Sequence, residues 1–335
     1  MLPRTDHGAR LEPRGAILHG GGQDPSGFSA YWTAVGDGAR PAFLMTYLPL
    51  NGAREGALAG LFSEIQGYER QGVHLMVQLG LSMATDGTPS SHYEDRVAAG
   101  KYDPAIESLC DEIEFLGHPV LLRIGYEFNG TSWNGYKPFS YVAAFRRITT
   151  RIRERNLEVA TVWDAAGELD YLSGVMDYYP GDEYVDWWGL NLFSGPKGSS
   201  NTAFFSSRPI HQFLDAAEQH HKPVLIGEST PRYTGVGAGE KSWDRWFAEF
   251  FEVVARHPGI KAISYINWNW ARTAMWRDWG DARLETDPVV AARYRAIVSA
   301  PPFLAGMPEE KLRAALGMPG RERKEEPAAE PEGGQ

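Results

Sequence analysis

A single cysteine, Cys110, stands in the 335 residues of this chain. That excludes an internal disulfide and any metal cluster built on cysteine. Its place inside a helical pattern marks it as a buried structural thiol rather than a nucleophile. Long apolar runs are missing too, so no stretch of about 18 residues is suited to span a bilayer. Positive charge is also in deficit. Lys and Arg number 33 against 43 Asp and Glu, a formal net charge of −10, and neither nucleic acid nor an anionic membrane is an expected partner. Histidine is sparse where a catalytic metal would need it. The adjacent pair His220-His221 closes a helical stretch on the wrong side of the apolar run that follows, and His19 alone makes no ligand set. Neither a metal nor a cofactor is therefore expected. The opening residues, Met1-Leu-Pro-Arg-Thr-Asp-His-Gly, hold no apolar segment of the signal-peptide kind. The chain as given reads as cytoplasmic unless an export signal has been trimmed, in which case it is secreted.

What is present is apolar and aromatic. Hydrophobic residues make up 43% of the chain and aromatic ones 12%, with 11 Trp. That is enough for one large core. The tryptophans serve either that core or, through their flat faces, the binding of sugar rings. Eight short runs rich in Val, Leu and Ile read as strands, at 15–19, 42–47, 73–79, 120–125, 159–163, 185–190, 224–227 and 262–267. They do not alternate apolar with polar, as befits parallel strands covered on both faces. Helical patterns intervene. The stretch 138–155 puts Tyr141, Phe145, Ile148 and Ile152 on one face. Ser242 is placed to cap a helix carrying Trp246, Phe250 and Val254, and Asp287-Pro288 opens the last helix. The fifth unit is the weakest, because 169–179 is short and broken by glycine. Eight βα units in a row predict an α/β fold, a single (β/α)8 TIM barrel over about residues 10–300. The tail 317–335 lacks apolar anchors after Met318 and should be disordered. Three segments are too long and polar to be plain connectors: 82–101, 194–208 and 271–286. All follow strands, so all belong at the C-terminal face, where barrel active sites lie.

Two of the strands end in a glutamate. One segment is Pro119-Val-Leu-Leu-Arg-Ile-Gly-Tyr-Glu127-Phe-Asn129-Gly, and the other is Pro223-Val-Leu-Ile-Gly-Glu228-Ser. Either Glu alone could serve an ordinary structural role, Glu127 by pairing with Arg123 or capping a helix, Glu228 by anchoring the loop 229–241. Together, three strands apart at the carboxyl ends of a barrel, they suit a pair of acids for glycoside hydrolysis. Around Glu127, Phe128, Asn129, Trp133, Asn134, Gly135 and Tyr136 give the loop the aromatic and amide character of a sugar site.

Here the sequence resembles a known family. The run Arg123-Ile-Gly-Tyr-Glu127-Phe-Asn-Gly-Thr-Ser-Trp133-Asn-Gly is similar to the Arg-Pro-x-His-Glu-x-Asn-Gly motif, followed by Trp, of glycoside hydrolase family 26, the β-mannanase family. Ala143-Ala-Phe-Arg-Arg, continuing to Val162-Trp163, adds to it. Tyr179-Pro-Gly-Asp-Glu-Tyr-Val-Asp186-Trp-Trp-Gly189-Leu-Asn191 resembles that family's Tyr-Pro-Gly-Asp-x-Tyr-Val-Asp-x-x-Gly-x-Asp. The resemblance implies a retaining β-glycoside hydrolase acting on a polysaccharide, with Glu127 as acid/base and Glu228 as nucleophile. This chain departs from the pattern in three places. Tyr126 stands for the family's His, Asn191 for its Asp, and Phe193 for the Tyr that typically hydrogen-bonds the nucleophile. These changes point to a divergent branch or a neighbouring family of the clan.

Physical expectations follow for the pair. Retention needs carboxyl groups roughly 5–5.5 Å apart, one ionised and one protonated. Aromatic surroundings and the charge of Glu228 should raise the pKa of Glu127, while Arg123 holds Glu228 ionised or makes an interior salt bridge. For substrate binding the strand ends offer His19, Gln23, Tyr47, Gln78, Arg123, Tyr126, Trp133, Asp164, Asn191, Phe193, Trp268, Asn269 and Trp270. Trp268 is placed to floor a sugar ring, and Trp276 and Trp279 add further faces. Long loops should wall a cleft for a polymer cut internally by a monomeric enzyme. Two other readings stand beside this one: a non-catalytic carbohydrate-binding barrel and a metal-dependent TIM-barrel hydrolase.

Overall fold

The computed structural model describes residues 1–84, 91–169 and 172–321. Every expected strand forms. They are β1 (Ile17–Gly22), β2 (Phe43–Pro49), β3 (Met76–Ser82), β4 (Val120–Ile124), β5 (Val159–Ala166), β6 (Trp187–Asn191), β7 (Val224–Ser229) and β8 (Ile260–Ile266). All pair in parallel in sequence order, and β1 bonds both β8 and β2, which closes the barrel. The architecture is therefore a (β/α)8 barrel. A two-residue strand, β9 (Phe303–Leu304), takes the start of β1 where β2 has not yet begun.

Apolar side chains separate into layers for a simple reason. Residues alternate across a strand, so each strand feeds both the barrel interior and the surrounding helices. Leu18, Phe43, Met76, Leu121, Val162, Trp187, Leu225 and Ala262 fill the interior, sealed at the N-terminal end by Leu11, Leu312 and Leu316. A larger cluster joins the outer strand faces to the helices. Helix Pro138–Glu154 buries Tyr141, Phe145, Ile148 and Ile152, the face its spacing predicts. Asp287 caps helix Pro288–Val298 through Val289 and Val290.

Some expectations shift. Ser242 is no helix cap: it lies within a helical stretch that starts at Glu240 and widens to a π-turn over Trp243–Phe247. Its hydroxyl instead accepts from the Ala238 N–H. The expected buried face survives, because Trp246, Phe250 and Val254 are all buried. The fifth unit carries only a five-residue helix, Leu172–Met176. The segment 82–101 holds a short helix at Glu94–Ala98, while its residues 85–90 lie outside the described ones. Of the tail, Met318 packs on the interior cluster and Pro319 accepts from the Arg313 guanidinium; residues 322–335 lie outside the described chain. No helix among the described residues is long and apolar enough to cross a membrane.

Candidate active site

The upper interior of the barrel changes character. Above the apolar layer, the inward positions of β3, β4, β5 and β8 carry Gln78, Arg123, Asp164 and Ser264, all fully buried. Polar groups this deep require partners. Arg123 supplies most of them. Its Nε donates to Asp164 Oδ2 at 3.0 Å, and Nη2 donates to Asp164 Oδ1 at 3.1 Å, Asn191 Oδ1 at 3.2 Å and Glu228 Oε1 at 2.7 Å. Glycines on the neighbouring strands make the space. A Cβ at Gly227 would lie 2.4 Å from Asp164 Oδ2 and 2.9 Å from Arg123 Nε, and one at Gly189 would lie 2.4 Å from Asp164 Oδ2. Glycine inside a buried strand is otherwise a weakness, so its presence here marks close packing of charged groups.

Glu127 and Glu228 both stand at the C-terminal end of the barrel, at the ends of β4 and β7. Glu127 adopts a positive φ of 52°, a conformation unusual for a residue with a side chain. The loop behind it holds it there. Asn134 donates to the carbonyls of Tyr126 and Glu127, and Asn129 exchanges two hydrogen bonds with Ala166 on β5. These amides are thus committed to the loop rather than turned toward a ligand. The carboxyl group of Glu127 accepts from Trp133 Nε1 at 2.8 Å and from Asn191 Nδ2 at 3.0 Å.

The two acids therefore differ electrostatically. Burial, then the charge of Glu228, pushes Glu127 up to about 8, against the opposing hydrogen bond from Asn191. Glu228 bonds a guanidinium that is itself held charged by Asp164 and Glu228. Glu127 is thus set to hold its proton near pH 7, while Glu228 is paired with a buried cation. Tyr47 of β2 faces the same region. Burial and then Glu228 raise its phenol well above the usual range, and its ring meets Tyr126 at 5.4 Å.

The sequence-derived candidates divide clearly. Arg123, Asn191 and Trp133 touch one or both acids, and Tyr126 lies over the Arg123 guanidinium at 5.0 Å. Gln78 donates to the Gly227 carbonyl, and its Oε1 is buried without a partner. Asp164 is fully buried as the counter-ion of Arg123 and positions it. His19 does not join the group. Its ring packs against Tyr31 and Phe303 between barrel and helices, Nδ1 bonds the Tyr31 hydroxyl at 2.9 Å, and burial pushes its pKa down to about 3. Trp270 is buried and donates to Thr230, so it braces the loop after β8. Trp268, Trp276, Trp279 and Phe193 are only partly buried and gather with Tyr47 over Met45 and Ile266. Sequence reasoning missed Arg232. It ion-pairs with Glu168 and lies over the rings of Phe193, Tyr233 and Trp279. Apart from the adjacent Tyr233, its partners Glu168, Phe193 and Trp279 come from three other loops, so nothing in its local sequence marks it.

Known proteins share this fold. No family profile matches the sequence. A β-1,3-xylanase from a Vibrio species is 28% identical over 92% of this chain and 70% of its own length. A second β-1,3-xylanase, from an Alcaligenes species, is 27% identical over 88% of this chain and 66% of its own. The chain thus spans about two thirds of each. Among solved structures, the GH26C protein of a Muricauda species superposes with a TM-score of 0.62 at 15% identity, covering 88% of each chain. A family GH26 β-mannanase from Bacteroides ovatus gives 0.60 at 17% identity, over 87% of this chain and 90% of that one.

Proposed function

From a chain that resembles glycoside hydrolase family 26 in fold and in sequence motif, we propose a retaining β-glycanase that cuts its polysaccharide internally. The observation that carries the reading is a pair of glutamates linked through Asn191 and Arg123, one raised enough to hold a proton and the other bonded to a buried guanidinium. In the first step, a carboxylate oxygen of Glu228 attacks the anomeric carbon while Glu127 gives its proton to the departing glycosidic oxygen. In the second step, Glu127, now a base, takes a proton from water as that water displaces Glu228. The roles need carboxyl groups roughly 5–6 Å apart, the spacing of retention. Tyr126 borders the pair, and the partly buried Trp268, Trp276 and Trp279 of the loop after β8 gather with Phe193 of the loop after β6. This spread of rings over separate loops suits successive sugar units.

The substrate proposed is β-1,3-xylan. Support comes from the likeness to the two β-1,3-xylanases, which extends over most of this chain, and from Tyr126, Asn191 and Phe193, where the mannanase-like motif is not kept. The test is release of reducing ends from β-1,3-xylan, β-1,4-xylan and β-mannan by the purified chain and by Glu127→Gln and Glu228→Gln. Oligomers from β-1,3-xylan, lost in both variants, support the proposal. Preference for β-mannan would overturn the substrate, and monosaccharide alone from the first minutes would overturn internal cutting. Binding without turnover by the unmodified chain would return it to a carbohydrate-binding barrel.

A further inference from the structure

At the opposite end of the barrel, two histidines and a glutamate meet in an arrangement that protein hydrogen bonding alone does not satisfy. His74 precedes β3, His118 precedes β4, and Glu69 ends helix Ala59–Glu69. The two imidazoles are buried and stacked, with centroids 4.2 Å apart and planes 15° from parallel. Glu69 Oε1 lies 2.7 Å from His74 Nδ1 and 3.6 Å from His118 Nε2. One donor atom from each residue falls within 4.8 Å of the other two.

The proton inventory shows what is missing. His118 Nδ1 sits 2.8 Å from the Leu75 carbonyl, so it must carry the hydrogen. In the neutral ring its Nε2 then presents a bare lone pair 3.6 Å from the Glu69 carboxylate. His74 Nε2 is buried without a hydrogen-bond partner. A ring nitrogen fixed by a backbone carbonyl on its other side is how protein sites orient histidine toward a metal. Bonds of about 2.0–2.2 Å at tetrahedral angles place neighbouring donors roughly 3.3–3.6 Å apart. The Glu69–His118 separation already has that value. The Glu69–His74 hydrogen bond would open to reach it, which the partly exposed Glu69 side chain can accommodate.

We propose that Glu69, His74 and His118 form a binding site for a divalent transition ion of the zinc class, which pins the start of β3 to the start of β4. Two imidazole nitrogens and one carboxylate oxygen, with solvent left as the fourth ligand, make a donor set suited to zinc rather than to magnesium or calcium. The site is remote from Glu127 and Glu228, at the face where barrel residues serve stability. Its expected effect is on thermal stability.

The test uses the full chain stripped with EDTA and titrated with zinc sulfate, read by calorimetry and by thermal melting. One ion per chain and a rise in Tm of several degrees at saturation are expected. Glu69→Gln and His118→Asn should each weaken binding by more than about tenfold, whereas His211→Asn, altering the separate His211–His257 pair, should leave it unchanged. Should His118→Asn fail to fold, Glu69→Gln, at a half-exposed helix end, still decides the matter. Absence of stoichiometric binding, or equal affinity in Glu69→Gln, overturns the site. Neither outcome bears on hydrolysis, which is measured separately.

Discussion

The side-chain amide of Asn191 donates to Glu127 Oε1 at 3.0 Å. That bond works against the burial and the Glu228 charge that raise Glu127. Asn191→Ala should therefore move the alkaline limb of the rate profile to higher pH. It should also lower kcat/KM by about tenfold to a hundredfold, as the acid loses its orientation. An unmoved limb would show that Asn191 does not touch the acid in solution.

For the unmodified enzyme, activity should fall as pH rises through about 8, where Glu127 gives up its proton. Stability follows the same sign. Between the ordinary carboxyl value of 4.5 and about 8, folded Glu127 holds a proton that the unfolded chain has released. Rising pH across that window must then destabilise the fold. Glu127→Gln removes the effect, so its melting advantage over the wild type should grow from pH 5 to pH 8.

Chemical rescue separates the two acids. On an aryl β-glycoside with a good leaving group, Glu228→Ala should be inactive, and azide should restore turnover with an α-glycosyl azide as product. Glu127→Ala should keep a fast first step, because such a leaving group needs no proton, and accumulate the glycosyl-enzyme. With azide it should yield the β-azide. The reverse pattern would exchange the roles.

Arg123 is fully buried between Asp164 and Glu228. Arg123→Met would strand two carboxylates in the barrel interior and should cost about 3–5 kcal/mol of stability, measured by urea unfolding. Activity should be lost as well, since Glu228 would lose the guanidinium that positions it.

Gly227→Ala tests the close packing beneath the acids. Its Cβ would come within 2.4 Å of Asp164 Oδ2 and 2.8 Å of Asn191 Oδ1. A loss of about 1–3 kcal/mol is expected from overpacking. Gly237, which has nothing within 4 Å, is the control and should tolerate alanine.

By itself the sequence determined the eight-strand barrel, because most strands are apolar runs and the longer helices, such as Pro138–Glu154, repeat an apolar face on a period near 3.6. It also located both glutamates, since a carboxylate after a buried strand has few places to go. What only the tertiary structure decided was who touches them. The outward turn of His19 depends on the parity of one strand position, the counter-ion role of Asp164 on a partner 41 residues away, and the bracing role of Trp270 on a hydroxyl of another loop. Arg232 and the Glu69–His74–His118 group are assembled from separate loops and strand starts, and no local spacing encodes them. Short-range periodicity is written residue by residue, whereas side-chain pairing across a barrel is set by register and strand neighbours, which exist only once the sheet has closed.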